Sequence, residues 1–173
     1  LLRRQALWSV KRPLMVMTPK SLLRNPAAVS PVDELVKGGW QDVIEDSAKL
    51  GKIKRVVLCS GKFYYDLAAR RAEMSDDSTA IVRLEQLYPF PAEAIGKILA
   101  DTKCKDVWWV QEEPRNQGAW WYVQENWNTD NGYLHYAGRT NQASPAVGIN
   151  SRFQKEQAAI LDSVFGEVKK KVA

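Results

Sequence analysis

The chain has 173 residues, of which 45% are hydrophobic and 26% charged, and its formal net charge is +5. This length predicts one globular domain with a proper core, and two cysteines without a metal-binding spacing exclude a structural zinc site. The sequence has no signal-peptide pattern, no long apolar run and no interior basic stripe, so we expect an intracellular chain with neither a membrane nor a nucleic-acid partner.

The first 54 residues predict few regular elements. Residues 1–10 are typical of the end of a helix, and no capping residue precedes Leu1, so we expect the chain to continue a longer polypeptide. Residues 14–17 form a short apolar run between prolines, which predicts a strand. A short helix is expected over 33–37.

From residue 55 onward, strands and helices alternate in the sequence. The predicted strands are 55–59, 79–84, 107–111 (ended by Glu112-Glu113-Pro114) and 133–137 (ended by Gly138). The predicted helices are 62–73, 91–99, 118–127 and a last helix with a capping box of Ser151 and Gln154 and an apolar face of Phe153, Ile160, Leu161, Val164, Phe165 and Val168. This alternation predicts an α/β fold with a parallel sheet covered by helices on both faces.

Ser60-Gly61-Lys62 follows a central strand and opens a helix. The position suits either a tight structural turn or an anion site, because helix N-termini offer free N–H groups and partial positive charge. A nucleotide-hydrolase phosphate loop is excluded, since Val56 stands where that loop needs glycine and Phe63 where it needs Ser or Thr.

The adjacent carboxylates of Glu112 and Glu113 point to opposite sides of a strand end, so they cannot flank one bond as acid and base. A buried carboxylate that fixes the following loop is the better interpretation. His135 has no partner placed to make it a base. The core of a single domain is too small to bury all seven tryptophans, and Trp121 is expected to lie outside it. Exposed aromatic side chains favour an interface with another domain or subunit.

Five long segments, in order, resemble one family over nearly the whole chain: the thiamine-diphosphate-dependent 2-oxoglutarate dehydrogenases of bacterial type, at their last domain. The segments are 2–5 followed by 13–24, 60–67 (Ser-Gly-Lys-Phe-Tyr-Tyr-Asp-Leu), 81–91 (Ile-Val-Arg-Leu-Glu-Gln-Leu-Tyr-Pro-Phe-Pro), 111–120 (Gln-Glu-Glu-Pro-Arg-Asn-Gln-Gly-Ala-Trp) and 136–139 with 143–148. The resemblance implies that 1–12 end a linker or helix from a preceding domain, and that 13–173 form a transketolase C-terminal-like domain. That fold has three layers, with helices on both faces of a mostly parallel sheet of about five strands. One edge strand of the sheet is antiparallel, and residues 14–17 or the region near Tyr133 could supply it.

The resemblance also implies that the catalytic residues and this domain lie on different parts of a longer polypeptide. Thiamine diphosphate and Mg²⁺ would lie on preceding domains, and this chain would hold no catalytic, cofactor or metal ligand. The full homodimeric enzyme would decarboxylate 2-oxoglutarate, or 2-oxoadipate in a close relative, and succinylate the lipoyl group of an acyltransferase partner. It would work in the bacterial cytoplasm or, alternatively, the mitochondrial matrix. This fragment alone is expected to be inactive.

Two hypotheses follow from the resemblance, a structural and dimerisation domain or a domain that senses a nucleotide or acyl-CoA. For the second, Thr18 and Lys62 lie on shared motifs, while Arg83 and Arg139 are candidates by charge and position at strand ends. For the first, the expected loop-fixing or interface residues are Glu112, Glu113, Gln117 and Trp120.

Overall fold

The computed structural model describes residues 1–166 and divides the chain into two compact units, Leu1–Gln41 and Asp42–Ala173. The first unit has two short helices, α1 (Leu2–Leu7) and α2 (Val32–Val36), and a single turn of 3-10 helix at Lys20–Arg24. The short helix expected over 33–37 is thereby confirmed, and the helix expected over 1–10 is shorter than predicted. No helix among the described residues is long and apolar enough to cross a membrane.

The second unit carries the sheet and its covering helices. In chain order its elements are β1 (Val43–Ile44), β2 (Arg55–Cys59), α3 (Phe63–Met74), β3 (Thr79–Leu84), α4 (Ala92–Thr102), β4 (Val107–Pro114), α5 (Trp120–Glu125), a 3-10 turn at Thr129–Asn131, β5 (Leu134–Arg139) and α6 (Asn150–Phe165). The strand order is β1-β3-β2-β4-β5. β2, β3, β4 and β5 pair in parallel, and β1 pairs with β3 antiparallel. The predicted five-stranded, mostly parallel α/β sheet is confirmed.

Two apolar cores lie on the two faces of this sheet. On one face, α4 and α5 pack through residues such as Ile95, Leu99 and Val123 against one set of strand side chains. On the other face, α3 and α6 pack through residues such as Leu67 and Ile160. Central strands therefore need apolar side chains in both directions, which is why β2 is a continuous run with four fully buried residues.

Both positions expected for the antiparallel edge strand were wrong. Residues 14–17 form no strand, and Met15 and Met17 are 85% and 93% exposed. An apolar run becomes a strand only when a neighbour accepts its backbone hydrogen bonds, and these residues have no such neighbour in the described chain. The edge strand is β1, which has only two residues and leaves too little periodicity to detect.

Two predicted strand ends were also wrong. β4 does not stop before Glu112 but continues to Pro114, with an irregularity in its pairing to β5 between Val110 and Pro114. β5 runs through Gly138 to Arg139. Gly138 does not break the strand, because its missing side chain leaves room for the Tyr136 hydroxyl, with which a Cβ there would collide.

The boundaries of two helices differ from their predictions. The box of Ser151 and Gln154 does not cap α6, which begins at Asn150, so that the Phe153 N–H bonds to the Ile149 carbonyl and Ser151 lies within the first turn. α5 is shorter than 118–127, because Gly118 has a positive φ of 66° and belongs to the preceding turn. The Val168 position predicted for the apolar face of the last helix lies outside the described residues.

A buried ion pair ties the segment after β1 to the sheet. The carboxylate of Asp46 accepts the Ile81 N–H at 2.7 Å and pairs with the guanidinium of Arg71, whose Nη1 also donates to the Thr79 carbonyl at 3.0 Å. The side chains of Asp46 and Arg71 are 7% and 11% exposed. Asp46 thus supplies an acceptor to the part of β3 that the two-residue β1 does not cover.

We predict that Asp46→Ala lowers the free energy of unfolding by about 3 to 5 kcal/mol, because it leaves the Arg71 charge buried without its partner. Urea unfolding followed by tryptophan fluorescence measures the change. Glu73→Ala is the matched control, since Glu73 is 55% exposed in its ion pair with Arg70 and its loss should change stability by about 0.5 kcal/mol or less. Equal effects of the two substitutions would contradict a stabilising role for the buried pair of Asp46 and Arg71.

Candidate functional site

The carboxyl edge of the parallel sheet gathers most of the polar residues predicted from the sequence. The connection after β2 leads to β3 on one side, whereas the connection after β4 leads to β5 on the other. The crevice between the carboxyl ends of β2 and β4 is therefore the topological switch point, where open α/β sheets commonly bind ligands.

Lys62 and Glu112 meet across this crevice in an ion pair in which their side chains are 33% and 22% exposed. Lys62 directly precedes α3, and Gly61 before it has a φ of 63°, a conformation that glycine adopts without strain. Glu112 lies on β4, and its neighbour Glu113 is exposed, so the two carboxylates do face different surroundings. The Lys62 ammonium is consequently neutralised within the domain.

Arg139 joins the same group from β5. Its Nη1 donates to the Glu112 carbonyl, its Nε to Glu156 at 3.0 Å and its Nη2 to the Gln157 side chain at 3.0 Å. The guanidinium also lies 5.1 Å from the centre of the Phe153 ring. Arg139 is buried, and these bonds hold α6 against the carboxyl ends of β4 and β5.

Arg83 lies at the end of β3 and has partners of its own. Its Nε is 2.6 Å from Glu85 Oε1, and its guanidinium stacks 4.7 Å from the centre of the Tyr64 ring while Nη1 approaches the Tyr65 hydroxyl at 3.3 Å. Thr18 is exposed and belongs to the first unit. The structure therefore brings Lys62, Glu112 and Arg139 together, and it gives Arg83 a separate set of contacts.

A buried amide organises the loop after β4. Gln111 is 3% exposed, and its Oε1 accepts hydrogen bonds from the Trp109 indole N–H at 2.8 Å and from the Trp120 backbone N–H at 3.0 Å. One acceptor thus joins the core of β4 to the first residue of α5. The indole N–H of Trp120 itself is buried without a hydrogen-bond partner, so Trp120 is held by its backbone and by packing.

The donor side of the same amide holds the loop itself. Gln111 Nε2 donates to the carbonyls of Gln117 at 2.8 Å, Pro114 at 3.1 Å and Glu113 at 3.3 Å. Gln117 in turn donates from its side chain to the Gln142 carbonyl at 3.1 Å. The residue that fixes this loop from inside is therefore a neutral amide, a role that the sequence analysis did not give it.

Two groups that could act as nucleophile or base near this edge remain protonated at neutral pH. Burial raises the pKa of the Cys59 thiol to about 12, although the nearby Arg83 opposes that shift. Burial also raises the pKa of Tyr136 to about 12, against the opposing charge of Arg115. The Tyr136 hydroxyl donates to the Arg139 carbonyl at 3.1 Å, so it works as a fixed structural donor.

Two further polar residues of α6 were missed by the sequence analysis. Gln157, 7% exposed, accepts from Arg139 and donates to Asp66 of α3 at 2.9 Å. Glu156 accepts from Arg139 and, at 2.6 Å, from Arg152. The sequence gives little indication of these roles, because polar residues beside the apolar face are common on any amphipathic helix.

Comparison with known proteins decides the family. The family model described as 2-oxoglutarate dehydrogenase C-terminal matches residues 29–165. The chain belongs to this family. The predicted resemblance is thereby confirmed.

Similar proteins include 2-oxoglutarate dehydrogenase E1 components from three bacteria. The protein of Cupriavidus necator is 48% identical over 176 residues, covering 98% of this chain and 18% of that protein. Those of Haemophilus influenzae and Staphylococcus aureus (strain N315) are 46% and 42% identical, covering 95% and 89% of this chain and 18% and 17% of each protein. The chain thus spans about a fifth of the length of these relatives.

We predict that Gln111→Leu lowers the free energy of unfolding by about 3 kcal/mol or more, because buried N–H and C=O groups that lose their partners cost about 1 to 3 kcal/mol each. Chemical denaturation of the 173-residue chain measures this change in the free energy of unfolding. Gln124→Leu, an exposed glutamine on α5, should change stability by about 0.5 kcal/mol or less. A tolerated Gln111→Leu would show that the amide is dispensable.

Proposed function

We propose that the chain is the C-terminal structural and dimerisation domain of a bacterial-type 2-oxoglutarate dehydrogenase. The full enzyme would decarboxylate 2-oxoglutarate and succinylate the lipoyl group of an acyltransferase partner in the cytoplasm. The structural role is supported by the ion pairs at the carboxyl edge, in which basic side chains bind carboxylates of the same domain. Lys62 binds Glu112, Arg83 binds Glu85, and Arg139 binds Glu156, so these groups stabilise turns and elements of the domain.

Glu85, Glu112 and Glu156 at the carboxyl edge are each paired with a basic side chain, so they are not free to hold the Mg²⁺ that the family relationship implies. A magnesium-bound diphosphate needs oxygen ligands that are free to face the metal. In residues 1–166, no three His, Cys, Asp or Glu side chains are grouped to hold a metal ion. The proposal is that the cofactor is held by residues of the full enzyme outside this chain.

An aromatic patch supports the assembly role. It consists of Tyr88, Phe90, Trp121 and Tyr122, which follow the carboxyl ends of β3 and β4. The rings of Phe90 and Tyr122 are in edge contact at 6.3 Å and join the two segments, while Tyr88 and Trp121 are 81% and 55% exposed. Large exposed aromatic side chains are typical of surfaces that another domain or subunit covers.

The test is made in the full-length enzyme with the double substitution Tyr88→Ser and Trp121→Ser. The dissociation constant of the dimer should rise about thirtyfold or more, since an interface hot spot contributes about 2 kcal/mol. Analytical ultracentrifugation measures it, and decarboxylation of 2-oxoglutarate should fall in parallel.

The control is Tyr133→Ser, because Tyr133 is 75% exposed but lies at the amino end of β5. This variant should keep the dimer and the activity. A double variant that stays dimeric and active would refute the interface role. Decarboxylation of 2-oxoglutarate by the 173-residue chain alone would refute the structural role.

A second candidate function is recognition of a nucleotide phosphate or CoA ester at the switch point. The observation in its favour is the position of Lys62, which opens α3 at the crevice where α/β sheets take ligands. Glu112 competes with any such anion, so binding would require the pair to separate. The contributions proposed for Thr18, Arg83 and Arg139 remain predictions.

Thermal denaturation with AMP and acetyl-CoA separates the two functions. A ligand at about 100 times its dissociation constant stabilises the folded chain by about 2.7 kcal/mol. Under the sensing hypothesis this gain disappears in Lys62→Ala and persists in Lys97→Ala, an exposed lysine on α4. Absence of stabilisation by either compound would eliminate the sensing hypothesis.

A further inference from the structure

A cavity of about 340 Å³ opens between β5 and α6, at the outer side of the sheet. Its wall consists of one stretch of β5 and the loop after it, and one face of α6. The lining residues are Tyr136, Ala137, Gly138, Arg139, Thr140, Gln142, Glu156, Ala159, Ile160 and Ser163. The volume is at the lower end of the range for ligand pockets, roughly 300 to 1,000 Å³, which favours a small molecule.

One wall of the cavity is the free edge of the sheet. β5 is the last strand in the order, and β4 is its only strand neighbour in the described chain. About half of the peptide groups of an edge strand point away from its neighbour and remain available to a ligand. The segment from Tyr136 to Arg139 lines the cavity, and on the side away from β4 its backbone groups have no strand partner in the described chain.

The ion-pair cluster at one end of the cavity contains two arginines and one glutamate, so it has one positive charge in excess. Both carboxylate oxygens of Glu156 are engaged, one by Arg139 at 3.0 Å and the other by Arg152 at 2.6 Å. The hydrogen bond from Arg152, with that from Arg139, holds the pKa of Glu156 below its usual value despite an opposing effect of burial. Two guanidinium groups thus bind one ionised carboxylate, although Arg152 is 61% exposed and is not among the residues that line the cavity.

Arg139 retains hydrogen-bonding capacity toward a ligand. Its side chain is 5% exposed, and three N–H groups are used by Glu156, Gln157 and the Glu112 carbonyl. A guanidinium has five N–H groups, so two are left. The Thr140 hydroxyl and the Gln142 amide, both on the loop that lines the cavity, add further donors.

The opposite part of the wall is apolar. Ala137 and Ile160 belong to the core between the sheet and α6, and the exposed Ala159 lies beside them on the helix. The small alanine side chains leave the volume that the cavity occupies. A ligand that fits needs a short hydrocarbon part here and an acceptor-rich head at Arg139.

We infer that this cavity is a binding site for a small amphipathic monocarboxylate, whose carboxylate meets Arg139 and the β5 edge and whose hydrocarbon part lies on Ala137, Ala159 and Ile160. A neutral molecule of the same length would leave the excess positive charge without a partner. A dicarboxylate would place its second charge on apolar surface, where an unpaired ion is costly. The site shares Arg139 with the group around Lys62, but it is lined by β5, the loop after it and α6, and it does not depend on the proposed function.

The test uses hexanoate as the probe and 1-hexanol as its neutral match, titrated into the ¹⁵N-labelled 173-residue chain. In amide NMR spectra, hexanoate should cause saturable shifts in 136–142 and 156–163, and hexanol should bind at least tenfold more weakly. Ala159→Leu fills the cavity without touching Arg139 and should weaken hexanoate binding at least tenfold. Ala100→Leu, an exposed alanine on α4, should leave binding unchanged.

Four results would overturn the inference. Equal binding of hexanol would show an apolar hole without charge recognition, and unaltered binding to Ala159→Leu would place the probe elsewhere. Shifts that never saturate would mean only weak surface association. Concentration-dependent shifts in β5 without any probe would show that a second copy of the chain covers the edge.

Discussion

The side-chain amide of Gln111 is the interaction on which the carboxyl edge of this domain depends. It accepts from the Trp109 indole and the Trp120 backbone, and it donates to the carbonyls of the loop between β4 and α5. A loop that enters the core needs partners for its backbone groups, and a buried amide with both donors and an acceptor can supply them where water is excluded. The position of α5 follows from these bonds.

With the loop fixed, the charges around it find partners inside the domain. Lys62 reaches Glu112, and Arg139 reaches the Glu112 carbonyl while it binds Glu156 and Gln157 on α6. Each of these charged groups therefore has a partner within the domain. The aromatic patch is the surface that we propose another domain or subunit covers. The cavity beside β5 is the site that we propose a small ligand occupies.

The sequence predicted the elements that its composition determines strongly. β2 and β3 were confirmed to the residue because both faces are buried, and their apolar runs are continuous. It failed where structure depends on a partner distant in the chain. The two-residue β1 exists only through β3, and residues 14–17 form no strand despite suitable composition. Lys62 and Glu112 were each selected, but their pairing across 50 residues has no local signature.

The central claim is that Gln111 holds the start of α5 through the Trp120 backbone N–H, and amide hydrogen exchange tests it most directly. If the bond exists as described, the Trp120 amide should exchange as slowly as the amides of the buried strand β2, because only global opening would release it. Exchange of the Trp120 amide as fast as that of the exposed Tyr133 would contradict the account.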